Sequence, residues 1–287
     1  MNLKREDFRV LETLRVRWAE VDLQQVVFNG HYLMYFDTGV GAYWRHLALP
    51  YGPTMADLGG DFVVRKTTVD YMAPARYDDR LAVGVRLARL GHRSMTLQCA
   101  VFLGARLLAH GEVVYVHVGP DASSRPIPAA LAHTLQAFEQ GEPMVNLKVG
   151  AWAELQGPAQ PLRTQVFVDE QGVDPALERD DADATARHAV AFNRLGRPVG
   201  TGRWLDQGGG VARVGRMAVS SSVRGAGVGE RLLKALEDDA AGRGCRQVVL
   251  HAQLPALAFY LRQGYRPVSE RFEEAGLVHQ TLVKDLG

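Results

Sequence analysis

The strongest constraint on the fold is a change of hydrophobic period partway along the chain. From "VDLQQVVFNGHYLMYFD" (residues 21–37) onward, Leu33, Phe36, Val40, Trp44 and Leu47 recur every three or four positions, which marks one apolar face of a helix. Asn29 and Gly30 precede it as an N-cap region. Asp22 stands before that helix start, where unpaired N–H groups and the positive end of the helix dipole are expected. The period then falls to two. In "LAVGVRLARL" (81–90) Leu81, Val83, Val85 and Leu87 alternate with small or charged residues, and in "SMTLQCAVFL" (94–103) Met95, Leu97, Cys99, Val101 and Leu103 do the same. "FVVRKTTVDYM" (62–72) and "EVVYVHVG" (112–119) are also β-rich, and "GHRS" and "LGAR" supply tight turns. An early strand, one long helix and a run of antiparallel strands make an α+β unit, a sheet wrapped over a central helix.

The stretch "PDASSRPIPAALA" (120–132) breaks this pattern, and a short helix, "ALAHTLQAFEQ", and "GEP" follow. The boundary is placed near residue 143, giving domains 1–143 and 144–287, and a length of 287 residues suits two. The second half starts over with strand-like "NLKVG" and a mostly helical "AELQGPAQPLRTQVFVDEQGV". "HAVAFN" and "PVGTGRWL" read as a hairpin. Next come strand "RVGRMAVS" (213–220), loop "SSVRGAGVG" (221–229), helix "ERLLKALEDDAAGRG" (230–244) and strand "QVVLHA" (247–252). Helix "PALAFYLRQG" (255–264) and a strand pair around "EEAG" close the chain. A strand, glycine-rich loop, helix and strand in succession form a phosphate-binding unit.

Charge excludes some classes of partner. The formal net charge is +1 and neither half carries the excess, so a basic footprint for nucleic acid or an anionic membrane is absent. Cys99 and Cys245 are far apart and lack metal-ligand spacing, which leads us to expect no metal and a reducing, cytoplasmic setting. The charged N-terminus has no apolar core of a signal peptide, and no long apolar run suggests a membrane span.

In "WAEVDLQQVVFNGHYLMYF" the chain resembles the hot-dog-fold acyl-CoA thioesterases of the 4-hydroxybenzoyl-CoA thioesterase group, over roughly residues 8–140. The resemblance implies that Asp22 is the catalytic carboxylate, activating water or attacking the thioester itself. It also implies that Asn29 and His31 at the helix entry belong to the site, and that the site is built across a homodimer or tetramer. The chain departs from the family at Gln25, where Gly is usual, and at Asn29, where many members have His. His92, His110 and His117 read as structural.

In "RMAVSSSVRGAGVGERLL", Arg224, Gly227 and Gly229 keep the R-x-x-G-x-G spacing of the GNAT-type N-acetyltransferases. "LRTQVFVDEQGV", "ARHAVAF" and "EEAGLVH" extend the likeness to their ElaA-like subgroup over residues 146–286. This resemblance implies an α/β domain with a mixed sheet. Met217 and Val219 on the strand, and Arg224, Gly225, Gly227, Val228 and Gly229 in the loop, would bind acetyl-CoA. Tyr260 would be the acid that protonates the departing CoA thiolate. The base stays open among Glu170, His251, Glu274 and a water chain. The expectation is a bifunctional acyl-CoA enzyme, a thioesterase fused to an acetyltransferase acting on a small-molecule or protein amine. The alternative is a CoA-thioester sensor or scaffold with one domain inactive.

Overall fold

The alternating segments of the first half become strands, and the segment of helical period becomes the helix they surround. The computed structural model describes residues 3–178 and 180–287. The first compact unit ends at Met144. Its elements are β1 (Val10–Arg15), α1 (His31–His46), α2 (Tyr51–Leu58), β2 (Asp61–Tyr71), β3 (Arg80–Leu90), β4 (Ser94–Leu103), β5 (Arg106–Val118) and α3 (Ala129–Glu139). The strands pair antiparallel in the order β1-β3-β4-β5-β2, and α1 packs on β1, β3 and β4.

Gly39 shows why α1 can lie so close to the sheet. A Cβ there would stand 2.7 Å from Val83 and 2.8 Å from Val85 on β3. A mid-helix glycine costs about 0.5–1 kcal/mol, and here it admits the β3 side chains against the helix backbone. The buried face differs from the sequence expectation at one end. Phe36, Val40, Trp44 and Leu47 are buried, but Leu33 is 46% exposed. Tyr32, Tyr35 and Tyr43 take the core side, and each hydroxyl has a partner. Tyr32 accepts from the Ala75 N–H, Tyr35 donates to Glu20 and Tyr43 donates to Glu139. A phenol can be buried once its hydroxyl is bonded, which a count of apolar residues does not register. Helix α2 is absent from the sequence expectation. It is short, and its stop signal is Gly59 in the left-handed conformation (φ +66°). Strand β5 starts at Arg106 rather than Glu112 because Arg106–Gly111 also pairs with β4.

The second unit begins at Val145. It contains β6 (Val145–Ala151), α4 (Trp152–Arg163), α5 (Pro175–Glu178), β7 (Arg187–Asn193), β8 (Pro198–Asp206), β9 (Val211–Val219), α6 (Val228–Gly242), β10 (Gln247–Gln253), α7 (Leu257–Arg262), β11 (Arg266–Glu274) and β12 (Leu277–Asp285). The seven-stranded sheet runs β11-β12-β10-β9-β8-β7-β6, and only β9 and β10 are parallel. Helix α6 starts two residues before the expected Glu230. Helix α7 is shorter than expected, because Leu254–Ala256 forms a 3-10 turn ahead of it.

Two features of this unit shape its site. The β9–β10 pairing ends at Val214 and Leu250, although β9 runs on to Val219 and β10 to Gln253. The parallel strands therefore part, and a cleft opens between them. Helix α4 contains Pro158 and Pro161 and passes into a π-helical segment, Thr164–Glu170. Proline removes helical N–H donors, and a change of helical pitch follows directly after the two prolines. Among the described residues no helix is long and apolar enough to cross a membrane.

Candidate functional site

In the first unit Asp22 sits on a tight turn. Val21 and Val27 form an isolated antiparallel bridge, and the Asp22 N–H donates to the Val26 carbonyl at 2.9 Å. The turn closes through Gln25, whose φ of +61° is left-handed. One oxygen of the Asp22 carboxylate accepts the Gln24 N–H at 2.8 Å, and the other has no partner among the described residues. No described hydrogen bond joins Asp22 to Asn29 or His31.

The start of α1 differs from the expectation of free donors. The N–H groups of His31, Tyr32 and Leu33 bond back to the carbonyls of Phe28, Asn29 and Gly30, tightening the first turn. Gly30, not Asn29, is the N-cap, with φ −63° and no side-chain cap. The N–H groups without a partner among the described residues are those of Asn29 and Gly30, one step ahead of the helix. His31 is the first helical residue, with its ring against Phe28 and Nδ1 3.3 Å from the Met34 sulfur.

The surroundings fasten this entry. Glu20, 4% exposed, accepts from Arg17 and from the Tyr35 hydroxyl, and its carbonyl receives the Phe28 N–H. Burial opposes ionisation of Glu20, yet the Arg17 bonds, the Tyr35 bond and the Arg17 charge outweigh it and hold its carboxyl below the usual range. The Tyr71 hydroxyl donates to the Asn29 carbonyl, and its ring meets Tyr32. Trp18, Leu23, Phe28, Met34, Met72 and Tyr77 are exposed apolar residues of this unit. His117 is a buried core residue bonded to the Pro126 carbonyl, and His110 lies 3.7 Å from Asp70. Sequence reasoning missed Glu20, because its bond to Tyr35 on α1 has no sequence signature.

In the second unit the glycine loop leads directly into α6. Gly225 and Gly227 take φ of +87° and +80°, and Gly227 is the N-cap of α6. The N–H groups of Gly225, Gly227, Val228, Gly229 and Glu230 have no partner among the described residues. Five free donors at a helix N-terminus suit an anion. The Val228 side chain is buried, so only its backbone faces outward. Arg224 is engaged elsewhere: its fork grips both oxygens of Glu170, at 2.5 and 2.7 Å, and its Nε donates to the Val219 carbonyl. Those Arg224 bonds hold the Glu170 carboxyl below the usual range.

A cleft of about 380 Å³ opens where β9 and β10 part. Met217, His251, Tyr260 and Glu274 all line it, and Glu170 does not. Opposite Gly202 of β8, strand β9 carries two residues, Arg216 and Met217, and Arg216 has φ +52°. This is a bulge, which takes backbone groups out of the ladder. It is invisible in "VGRMAVS", which alternates like any strand. Tyr260 is buried between Phe259 and Tyr265, and burial pushes its phenol up to about 12, so it keeps its proton at neutral pH. One wall is a buried ion network. Arg163 holds Glu178 and Asp183, Arg203 holds Asp180 and Asp183, and Arg216 reaches Asp180. Among the described residues no group of three or more His, Cys, Asp or Glu is placed to hold a metal.

Comparison with known proteins assigns both halves. The thioesterase superfamily matches residues 24–110, and the acetyltransferase (GNAT) domain family matches residues 153–286. The uncharacterized N-acetyltransferase YjcF of Bacillus subtilis is 40% identical over 125 residues, spanning 43% of this chain and 88% of the relative. A protein of Aquifex aeolicus named "Putative esterase" is 32% identical over 88 residues, spanning 31% of this chain and 68% of the relative. Among solved structures, a thioesterase from Thermus thermophilus in complex with coenzyme A and Zn is 28% identical, with a TM-score of 0.42, covering 48% of this chain and 99% of that one. This chain belongs to the thioesterase superfamily through its first unit, a hot-dog domain, and to the GNAT acetyltransferases through its second.

Proposed function

We propose that the protein is a bifunctional acyl-CoA enzyme, with residues 1–143 hydrolysing acyl-CoA thioesters and residues 144–287 moving the acetyl group of acetyl-CoA to an amine. The observation that carries this reading is the set of N–H groups of Gly225, Gly227, Val228, Gly229 and Glu230, unpartnered among the described residues, beside the cleft that holds Tyr260. These donors take the CoA pyrophosphate, joined by Arg224. The pantetheine follows the freed edge of β9 past Val219 and Met217. Tyr260, protonated at neutral pH, supplies the proton to the leaving thiolate.

In the first unit the free oxygen of Asp22 attacks the thioester carbonyl or draws a proton from water. The N–H groups of Asn29 and Gly30 receive the oxyanion, and His31 borders the same entry. Strand β2 is a sheet edge, paired among the described residues only with β5, and exposes Val63, Val64 and Tyr71, with Met72 exposed just beyond it. Such an edge is stable when a second strand covers it, which supports a homo-oligomer closed through β2. The free cysteines Cys99 and Cys245 suit a cytoplasmic setting.

The test measures free thiol from a panel of acyl-CoAs without amine, then from acetyl-CoA with a panel of primary amines, alongside sedimentation to read the oligomer. Turnover in both assays is the expected result. Binding of acetyl-CoA without thiol release in either would make the chain a sensor and sink the enzyme reading.

A further inference from the structure

Strand β10 pairs with β9 as far as Leu250, and His251 is the next residue, at the point where the cleft opens. Its Nδ1 lies 2.7 Å from Glu274 Oε2 on β11 and 3.2 Å from Arg213 Nη2 on β9. These two contacts cannot both be hydrogen bonds. A guanidinium has only protons to give and a carboxylate only lone pairs, so one contact asks Nδ1 for a lone pair and the other for a proton. The shorter contact, to the carboxylate, places the proton on Nδ1. The Nε2 lone pair is then free, and it has no partner among the described residues. We propose that His251, oriented by Glu274, takes the proton from the incoming ammonium in the acetyl transfer. This rests on the acetyltransferase reading above.

The other titratable groups are committed. Glu170 is gripped by Arg224 and lies outside the cleft lining. Glu178 serves Arg163, and Asp180 serves Arg203 and Arg216. His279 of β12 is buried, with Nδ1 on the Leu277 carbonyl and its ring stacked on Phe272. Around His251 the charged or titratable groups are Glu274 from β11, Arg213 from β9 and His279 from β12, and the Phe272 ring packs edge-on at 5.0 Å. Desolvation works against the Glu274 charge. The His251 hydrogen bond and the Arg213 charge are among the influences that overcome it, so the carboxyl stays below its ordinary value. Glu274 is thus an anion at neutral pH, ready to stabilise an imidazolium at His251.

The proton count closes. An ammonium R–NH₃⁺ gives one proton to Nε2 and becomes the nucleophile. Its nitrogen attacks the acetyl carbon, and the C–S bond breaks as the tetrahedral intermediate collapses. The second nitrogen proton ends on the CoA sulfur by way of Tyr260. The imidazolium then loses its proton to water, leaving amide, CoA thiol and one H⁺.

The test uses the full-length protein, acetyl-CoA and a panel of primary amines graded in basicity, from alkylamines to alkoxyamines, at one fixed pH. His251→Gln should lower kcat for the basic amines by about 10²-fold, with acetyl-CoA affinity by calorimetry unchanged. The deficit should shrink towards about tenfold or less for alkoxyamines, which are already unprotonated and need no base before attack. Glu274→Gln should show the same trend at roughly a tenth of the size, with partial recovery in Glu274→Asp, as befits a positioning residue. An equal loss across the panel, no loss at all, or a loss of acetyl-CoA affinity would each overturn the assignment of His251 while leaving the acetyltransferase reading standing. Wild-type protein that binds acetyl-CoA but acetylates none of the amines would overturn that reading, and the base with it.

Discussion

At the scale of single residues, Gln25 shows what a sequence states and what it leaves out. Its place in a glycine-preferring turn can be read from the family pattern, but the reason lies in its φ of +61°. A left-handed side-chain residue costs ~1–2 kcal/mol, against ~0.5–1 kcal/mol of extra chain entropy for glycine. Gln25→Gly should therefore stabilise the first unit by roughly 0.5–1 kcal/mol, read as a higher urea midpoint. A lower midpoint would mean that the Gln25 side chain compensates for the strain. Asp22 lies three residues earlier in the same turn. Asp22→Asn keeps the shape and the bond to the Gln24 N–H but supplies neither base nor nucleophile, so acyl-CoA hydrolysis should fall by about 10²-fold or more with the melting temperature unchanged. Hydrolysis near the wild-type rate would remove Asp22 from the site. Asp22, Tyr260 and the glycines can be singled out in the sequence because each belongs to a short contiguous motif. Glu20 was not, because its role depends on Tyr35, 15 residues away.

Among the elements, two helix starts that were both expected to offer free N–H groups behave differently. The first turn of α1 spends its N–H groups on the carbonyls of Phe28, Asn29 and Gly30. The first turn of α6 leaves its N–H groups free, because Gly225 and Gly227 carry the chain into the helix through left-handed conformations. No Cβ at Gly227 would touch the protein, so Gly227→Val acts through backbone strain and through bulk facing the phosphates. Acetyl-CoA affinity should drop at least tenfold by calorimetry, while acyl-CoA hydrolysis by the first unit continues. Equal loss of both activities would point to misfolding. The ion network behind α4 and α5 was illegible for the opposite reason: Arg163, Glu178, Asp183 and Arg203 are scattered and follow no period. Removing one charge from a buried set strands its partners, so Asp183→Asn should cost about 3–5 kcal/mol. Its acid response has a definite sign. Arg203 bonds hold Asp180 below its ordinary value despite desolvation, so the stabilisation is full above about pH 4 and drains away as pH falls further. A melting temperature flat from pH 6 to pH 3 would contradict this.

For the whole molecule, the division into two sheets was legible because the hydrophobic pattern completes itself twice, and each unit has its own buried residues and strand order. The parting of β9 from β10 was not, since both strands keep alternating after their pairing ends. The contact between Glu170 and Arg224 has a consequence that reaches across the second unit. The two residues lie 54 positions apart, and both are partly exposed. If Arg224 serves a CoA phosphate, Glu170 is a competing anion tethered to the protein itself, at an effective concentration no dilution can lower. The observed dissociation constant is then the intrinsic one multiplied by one plus the ratio of latched to unlatched molecules. An exposed ion pair is worth ~0.2–1 kcal/mol, which limits the handicap to roughly sixfold. Glu170→Gln should tighten acetyl-CoA binding by about two- to sixfold in calorimetry, and an unchanged constant would show that Arg224 never leaves Glu170 for the phosphate. Ligand-free protein is, on this account, its own inhibitor, and part of the binding energy of every CoA molecule goes into evicting an occupant that never departs.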